Sequence, residues 1–331
     1  MSVETRELLY SAGERRPASR AIAPARRITW RRAAVFAGLF ALVILLQYLS
    51  GAYRSEFADY PDEPAHYVTA RMVHDFLLSG NYEHPIKFAQ DYYSRYPKVA
   101  FGHWPPLLYV IQALWMLIFS SSRASILMEL ALTTTFAAFA TYSLAAKRFG
   151  IFGGVLAAAA LVCLPVIQMY ADQEMAESLL LLTSLWAAVY FTRFLDSGRW
   201  QDSLWFALLA SCAILTKGNG WALAMVPPFA ILLTRNFSIL KKPAFWLPVP
   251  VIAVLCIPWQ LLTFDMVHRG WMGGDEPGIH YTAAALVQFI GVLQSITGWG
   301  IAGFAALGVA VRVGRGFLTK RIEALDAVML S

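Results

Sequence analysis

Charge and cysteine are both scarce in this chain of 331 residues, of which 15% are charged and three are cysteine. Cys163, Cys212 and Cys256 fall in apolar stretches with no CxxC or histidine-paired spacing, which excludes a zinc or redox motif and leaves them as packing residues. No Lys/Arg-rich groove with interleaved aromatics stands outside the short loops, and no nucleotide-binding motif is visible, so neither a nucleic acid nor a soluble nucleotide sugar is an expected ligand. Internal repeats and low-complexity segments are missing too, beyond the alanine run at 157–160.

Apolar residues are abundant, at 58%, and they recur in runs of about twenty, the length that crosses a bilayer as a helix. The expected fold class is therefore an all-α polytopic membrane protein. Residues 1–32 carry Arg6, Arg15, Arg16, Arg20, Arg26, Arg27, Arg31 and Arg32 with few apolar residues, and read as a flexible cytoplasmic tail rather than a signal peptide. The first span runs from Ala33 to about Tyr53. It is followed by an external loop, 54–122, too long and too polar for a simple connection.

Inside that loop Val68, Met72, Val73, Phe76 and Leu77 fall on one side of an Ala65–Leu78 segment, which predicts an amphipathic helix on the membrane surface, with Pro64 in its first turn and Gly80-Asn81 at its end. The apolar segment Trp104–Ser121 either spans or lies along the outer face, and charge decides between the two. If it lies outside, seven further spans follow: Arg123–Ala145, Ile151–Tyr170, Glu177–Phe194, Ser203–Thr216, Trp221–Leu233, Ala244–Phe264 and Thr282–Val311. Lys147-Arg148, Arg193/Arg199, Arg235/Lys241/Lys242 and Arg312/Arg315/Lys320/Arg321 then all face the cytoplasm, as basic loops prefer. This gives about eight spans in a membrane domain of residues 33–311, both termini inside, and a basic cytoplasmic tail at 312–331. The same scheme puts Asp59, Asp62, Glu63, Glu83, Asp91, Asp172, Glu174, Asp265, Asp275, Glu276 and Lys217 outside, although acids were not used to choose it.

Asp62 and Glu63 stand at the amino end of the predicted surface helix, where its dipole favours carboxylates. Each is either a base that takes a proton from a substrate hydroxyl or a helix cap. Asp172-Gln173-Glu174 places two acids in a tight external turn, suited to an acceptor or a divalent cation, or simply solvated. Lys217, in Leu215-Thr216-Lys217-Gly218, offers a compact positive charge to a phosphate on a side where basic residues are disfavoured, or else snorkels. His103 and Trp104 open the surface segment, with roles in substrate bonding and ring stacking or in interfacial anchoring. His268 and Arg269 lie in a glycine-containing external loop where the arginine suits an anionic leaving group or a lipid headgroup.

Taken in order, these motifs resemble the integral-membrane glycosyltransferases that use polyprenyl-phosphate sugars, the GT-C class containing protein O-mannosyltransferases and the bacterial aminoarabinose transferases of lipid A. The resemblance covers roughly residues 33–275. It rests on a first span followed by Pro61-Asp62-Glu63, a Pro105-Pro106 surface segment, Ala-Ala-Lys147-Arg148-Phe-Gly150, the acidic turn at Asp172, Leu215-Thr216-Lys217-Gly218, and Pro258-Trp259. It implies that Asp62 corresponds to the catalytic aspartate of the first loop, Asp172 to a second external acid, and Lys217 to a lysine near the carrier phosphate. Where aminoarabinose transferases tend to carry Glu-Lys-Pro this chain has His103-Trp104-Pro105, which counts against that sugar. The chain also stops soon after the eighth span, as a short member or a fragment needing a partner would.

The expectation is an inverting glycosyltransferase of the plasma membrane with an external active site. Its base is Asp62, and its substrate-binding residues are Glu63, His103, Asp172, Glu174, Lys217, His268 and Arg269. Its donor is a polyprenyl-phosphate sugar and its acceptor an envelope lipid, glycan or protein. No cofactor is required. A divalent cation, if used, falls to Asp62, Asp172 and Glu174. The rivals are a flippase of lipid-linked sugars, which charges within the spans would favour although Glu129 is almost the only one, and a membrane scaffold.

Overall fold

The computed structural model describes residues 30–57, 60–80, 82–100, 102–271, 279–319 and 322–330, with side chains apart from 266–271, 279–282, 294–295, 313 and 315–319. The chain divides into residues 1–35, described from Trp30 as the opening turns of the first helix, and residues 36–331, which carry everything that follows. The described residues form helices and turns, with no strand among them.

Helix α1 (Trp30–Leu49) precedes the turn at Gly51. The loop after it holds α2 (Asp62–Ser79), α3 (Pro85–Arg95) and α4 (Leu107–Ile118). Helices fall within the two expected segments, α2 and α4, whereas α3 was not expected; α2 starts at Asp62 and stops at Gly80, whose φ of 66° is readily adopted by glycine. Pro85 opens α3 at a position where a missing N–H costs nothing. Then come α5 (Arg123–Val162), α6 (Pro165–Asp172), α7 (Glu177–Ser197), α8 (Trp200–Thr216), a 3₁₀ segment Gly218–Met225, α9 (Val226–Thr234), a second 3₁₀ turn Phe237–Lys241, α10 (Pro243–Trp246), α11 (Pro248–Trp271), α12 (Ile279–Thr319) and α13 (Ala324–Leu330).

Among the described residues, four stretches are long and apolar enough to cross a membrane: Trp30–Leu49, Arg123–Val162, Glu177–Ser197 and Pro243–Asp265. The pair Ala283–Leu293 and Ile296–Arg312, bent by 92°, makes a fifth if it is one span. The difference from eight lies in particular segments. Helix α5 breaks at Gly150 (φ 71°, ψ −178°), between the expected spans Arg123–Ala145 and Ile151–Tyr170. The chain folds back so sharply there that a Cβ on Gly154 would sit 2.7 Å from the Ala146 Cβ. The returning arm stops at Val162, and Pro165 starts the separate α6. Helix α8, at 17 residues, stands at the lower limit of a crossing length. The expected Trp221–Leu233 span is instead a 3₁₀ segment joined to a nine-residue helix, an irregular backbone that membranes tolerate where it packs against protein.

Two larger cores among the described residues hold most of the helices, and a smaller one of Met72, Ala89 and Val99 joins α3 to α2. One of the larger two joins α2, α4, α5 and α7 through Leu108, Tyr109, Ile126, Leu127, Leu130 and Leu179. The other joins α7, α8, α9 and α13 through Phe191, Phe194, Phe206, Ile231, Ala327 and Val328. Thus part of the stretch expected as a basic tail is a packed helix. Arg148 donates to Asp326 Oδ1 at 2.7 Å and also to Glu323, while Arg312 reaches Asp326 Oδ2 at 3.5 Å. Buried Gln47 ties α1 in: its amide donates to the Leu127 carbonyl at 3.0 Å and the Ala171 carbonyl at 2.7 Å, and its oxygen accepts from the Tyr53 hydroxyl at 2.7 Å. Hydrogen bonds of this kind between helices replace the hydrophobic drive that lipid removes.

Candidate active site

The amino ends of α2 and α5 meet the α6–α7 turn, and Arg123 is the residue that joins them. Its guanidinium donates to Glu63 Oε1 at 3.0 Å, to the Asp172 carbonyl at 3.3 Å, to the Ser55 carbonyl at 3.1 Å and to the Ala52 carbonyl. Its charge also lies 5.9 Å from the Phe57 ring centroid. Glu63 accepts the Glu174 backbone N–H at 3.2 Å as well. Five donors in a planar fork suit arginine to binding several oxygens from different segments at once, which lysine could not reproduce. The residue was missed in the sequence because it opens an apolar helix. The available signal was a lone basic residue at the external end of a predicted span.

Asp62 and Glu63, adjacent in sequence, have opposite surroundings. Glu63 is fully buried and committed to Arg123. Asp62 is half-buried in the first turn of α2, with no hydrogen bond or ion pair to the described residues, so its oxygens are available. It is near enough to Tyr109 to raise that hydroxyl's pKa, together with Glu174 and after burial itself.

Below Asp62 on α2 lies His66, a second residue without a sequence signal. Its Nδ1 is 2.9 Å from the Tyr109 hydroxyl and its ring sits 4.4 Å from that of Trp104. Burial, with the positive charges of Lys217 and His103, lowers its pKa to about 4. The ring is neutral near pH 7 and shares a hydrogen bond with the protonated Tyr109 hydroxyl. His66 thereby shows that Lys217 and His103, far apart in sequence, converge on α2.

Lys217 follows the last turn of α8, with its ammonium paired to Glu177 at the start of α7. Asp172 ends α6, half-buried; burial raises its pKa, with the Ser50 hydroxyl and Arg123 acting in the opposite sense. Glu174 is buried with neither carboxyl oxygen bonded. Burial, then Glu129 and Glu63, push its pKa well above the usual carboxylate range. Gln112 lies beside Glu174 and Glu129, but its amide is outside hydrogen-bonding geometry with either. Among the expected site residues, then, Glu63, Asp172 and Glu174 surround Arg123, while Asp62, His103 and Lys217 surround His66 and Tyr109. The side chains of His268 and Arg269 lie outside the described residues. No group of three or more His, Cys, Asp or Glu side chains among the described residues is placed to hold a metal ion.

Three cavities lie beside these helices. One of about 320 Å³ is lined by apolar residues of α2, α3 and α4 together with Trp259 and Leu262 of α11, and Tyr109 forms part of its wall. Another, of about 480 Å³, shares Ala100 and Trp104 with it. A third, of about 410 Å³, runs along α8 from Phe206 to Ile214 and is also lined by Phe191, Trp221 and Ile252. Ile214 stands three residues before Lys217, so this apolar cavity reaches the neighbourhood of that lysine.

The model of the dolichyl-phosphate-mannose-protein mannosyltransferase family matches residues 103–262. That match and the apolar helices support a GT-C-type membrane glycosyltransferase, a transferase of the mannosyltransferase kind. His103, Asp172, Glu174 and Lys217 fall inside the matched segment, while Asp62 and Glu63 precede it. No curated protein and no solved structure matches the chain.

Proposed function

We propose that the protein transfers a sugar from a polyprenyl-phosphate carrier to an envelope acceptor, with inversion, at the outer face of the plasma membrane. Asp62 is the base. It takes the proton of the acceptor hydroxyl as that oxygen bonds to the anomeric carbon; the bond from this carbon to the phosphate oxygen breaks, and the electron pair leaves with the lipid phosphate. Lys217, held against Glu177, supplies positive charge to the departing phosphate, and Arg269 is a further cation for it. Asp172, Glu174 and Glu63 set the frame around Arg123 that fixes the start of α2. The apolar cavity beside Tyr109 receives the first isoprene units. The reading uses about eight crossings with both termini in the cytoplasm, and no cofactor or metal.

The observation that carries the proposal is the unequal state of the two adjacent acids: Glu63 is paired with Arg123, while Asp62 has no partner among the described residues and lies beside the Tyr109–His66 pair that Lys217 and His103 also approach. Mass spectrometry of lipid-linked sugars and envelope glycans, with and without the protein, tests it. Removal should cause a polyprenyl-phosphate sugar to accumulate and a glycan to lose that residue. Unchanged profiles of both would refute the transfer.

A further inference from the structure

The cavity of about 480 Å³ beside α2 has a lining unlike that of the apolar cavities. Ala65, Gln90, Tyr93, His103 and Trp104 are on its wall, with no aspartate, glutamate, lysine or arginine. Its volume falls within the range of roughly 300–1,000 Å³ typical of small-molecule sites. The groups that face it are uncommitted. Gln90 and Tyr93 lie exposed on one face of α3, three residues apart, and neither side chain makes a hydrogen bond with the described residues. Tyr93 is half exposed, at 50%.

Trp104 is held firmly for a residue at a cavity wall. His66 packs against its ring at 4.4 Å and His103 meets it edge-on at 4.7 Å. It also lines the apolar cavity, as Ala100 does, so the two cavities adjoin. Asp62 stands one turn before Ala65 on the same helix face, about 5–6 Å away between Cβ atoms.

We infer that this cavity binds a neutral sugar ring, the terminal residue of a glycan acceptor, with one of its hydroxyls presented to Asp62. A pyranose has an apolar C–H face and a rim of hydroxyls. Tyr93 and Trp104 offer aromatic surface to the first. The Gln90 amide, the His103 imidazole and the Tyr93 hydroxyl offer donors and acceptors to the second. An acceptor bearing a phosphate or carboxylate would call for a charge-assisted partner, and apart from His103 the wall has none. The inference rests on Asp62 as base, and it narrows the acceptor from lipid, glycan or protein to a neutral glycan.

Binding can be read without donor. The purified full-length protein in detergent is titrated with methyl hexopyranosides and, separately, with a methyl hexuronoside, following tryptophan fluorescence. Neutral glycosides should bind at millimolar concentration or better, and the hexuronoside at least fivefold more weakly. Gln90→Ala and Tyr93→Ala, on the exposed face of α3, should each weaken the neutral ligand at least fivefold with the thermal midpoint unchanged. No saturable binding, equal or tighter binding of the hexuronoside, or unaltered binding by both variants would overturn the inference. Because the assay holds no donor and involves no transfer, its failure is distinct from failure of the base, which donor discharge reads.

Discussion

Arg123 Nη2 lies 3.0 Å from Glu63 Oε1, and the two side chains retain only 17% and 1% of their exposure. The pair links the first turn of α5 to the first turn of α2, so it fixes where Asp62 stands. Removing one partner leaves a buried charge without compensation, at a cost of about 3–5 kcal/mol. Glu63→Gln and Arg123→Met should each lower the thermal midpoint of the purified protein markedly. The double variant should be less destabilised than the sum of the two. Additive effects in that cycle would show that the two side chains are not coupled.

His66 gives stability a pH dependence of known sign. The unfolded chain takes up a proton at this ring near the ordinary value of 6.5, and the folded protein only near 4. Its contribution is therefore complete above pH 6.5 and is lost as pH falls toward 4, by up to about 3 kcal/mol. Glu174, with its pKa raised by burial, contributes in the opposite direction. Comparing wild type with His66→Phe isolates the histidine: the loss of thermal stability between pH 7 and pH 5 should shrink in the variant. An equal loss in both would remove His66 as the cause.

Lys217 is paired with Glu177, so its charge is shared. Glu177→Gln should free the ammonium and tighten inhibition by polyprenyl phosphate severalfold, while Lys217→Met should weaken it by tenfold or more. Inhibition constants measured on membranes containing each variant check this. If both variants behave as wild type, the phosphate binds elsewhere.

The surface helices were legible because their signals are local. Apolar spacing, Pro64 and Gly80 define α2, and paired prolines precede α4. The number of crossings was not, because hydropathy does not distinguish a regular span from the 3₁₀ segment and short helix of 218–234, nor foresee that α6 restarts at Pro165. Convergence of Lys217 and His103 on α2 was anticipated only as a shared membrane face; His66, at which they meet, carried no motif. Arg123 reads as the edge of an apolar run. Its role emerges only when carbonyls from residues 52, 55 and 172 turn toward it. Likewise, Asp62 and Glu63 are indistinguishable in sequence. They part company because successive helical residues point about 100° apart, one inward to Arg123 and the other to the site.

The most direct test of the central claim is discharge of a polyprenyl-phosphate sugar by membranes containing wild-type or Asp62→Asn protein, with thermal midpoints compared alongside. Asparagine keeps the shape and removes the base. The account predicts a loss of at least about a hundredfold in transfer with folding intact. Transfer by Asp62→Asn at the wild-type rate would contradict it.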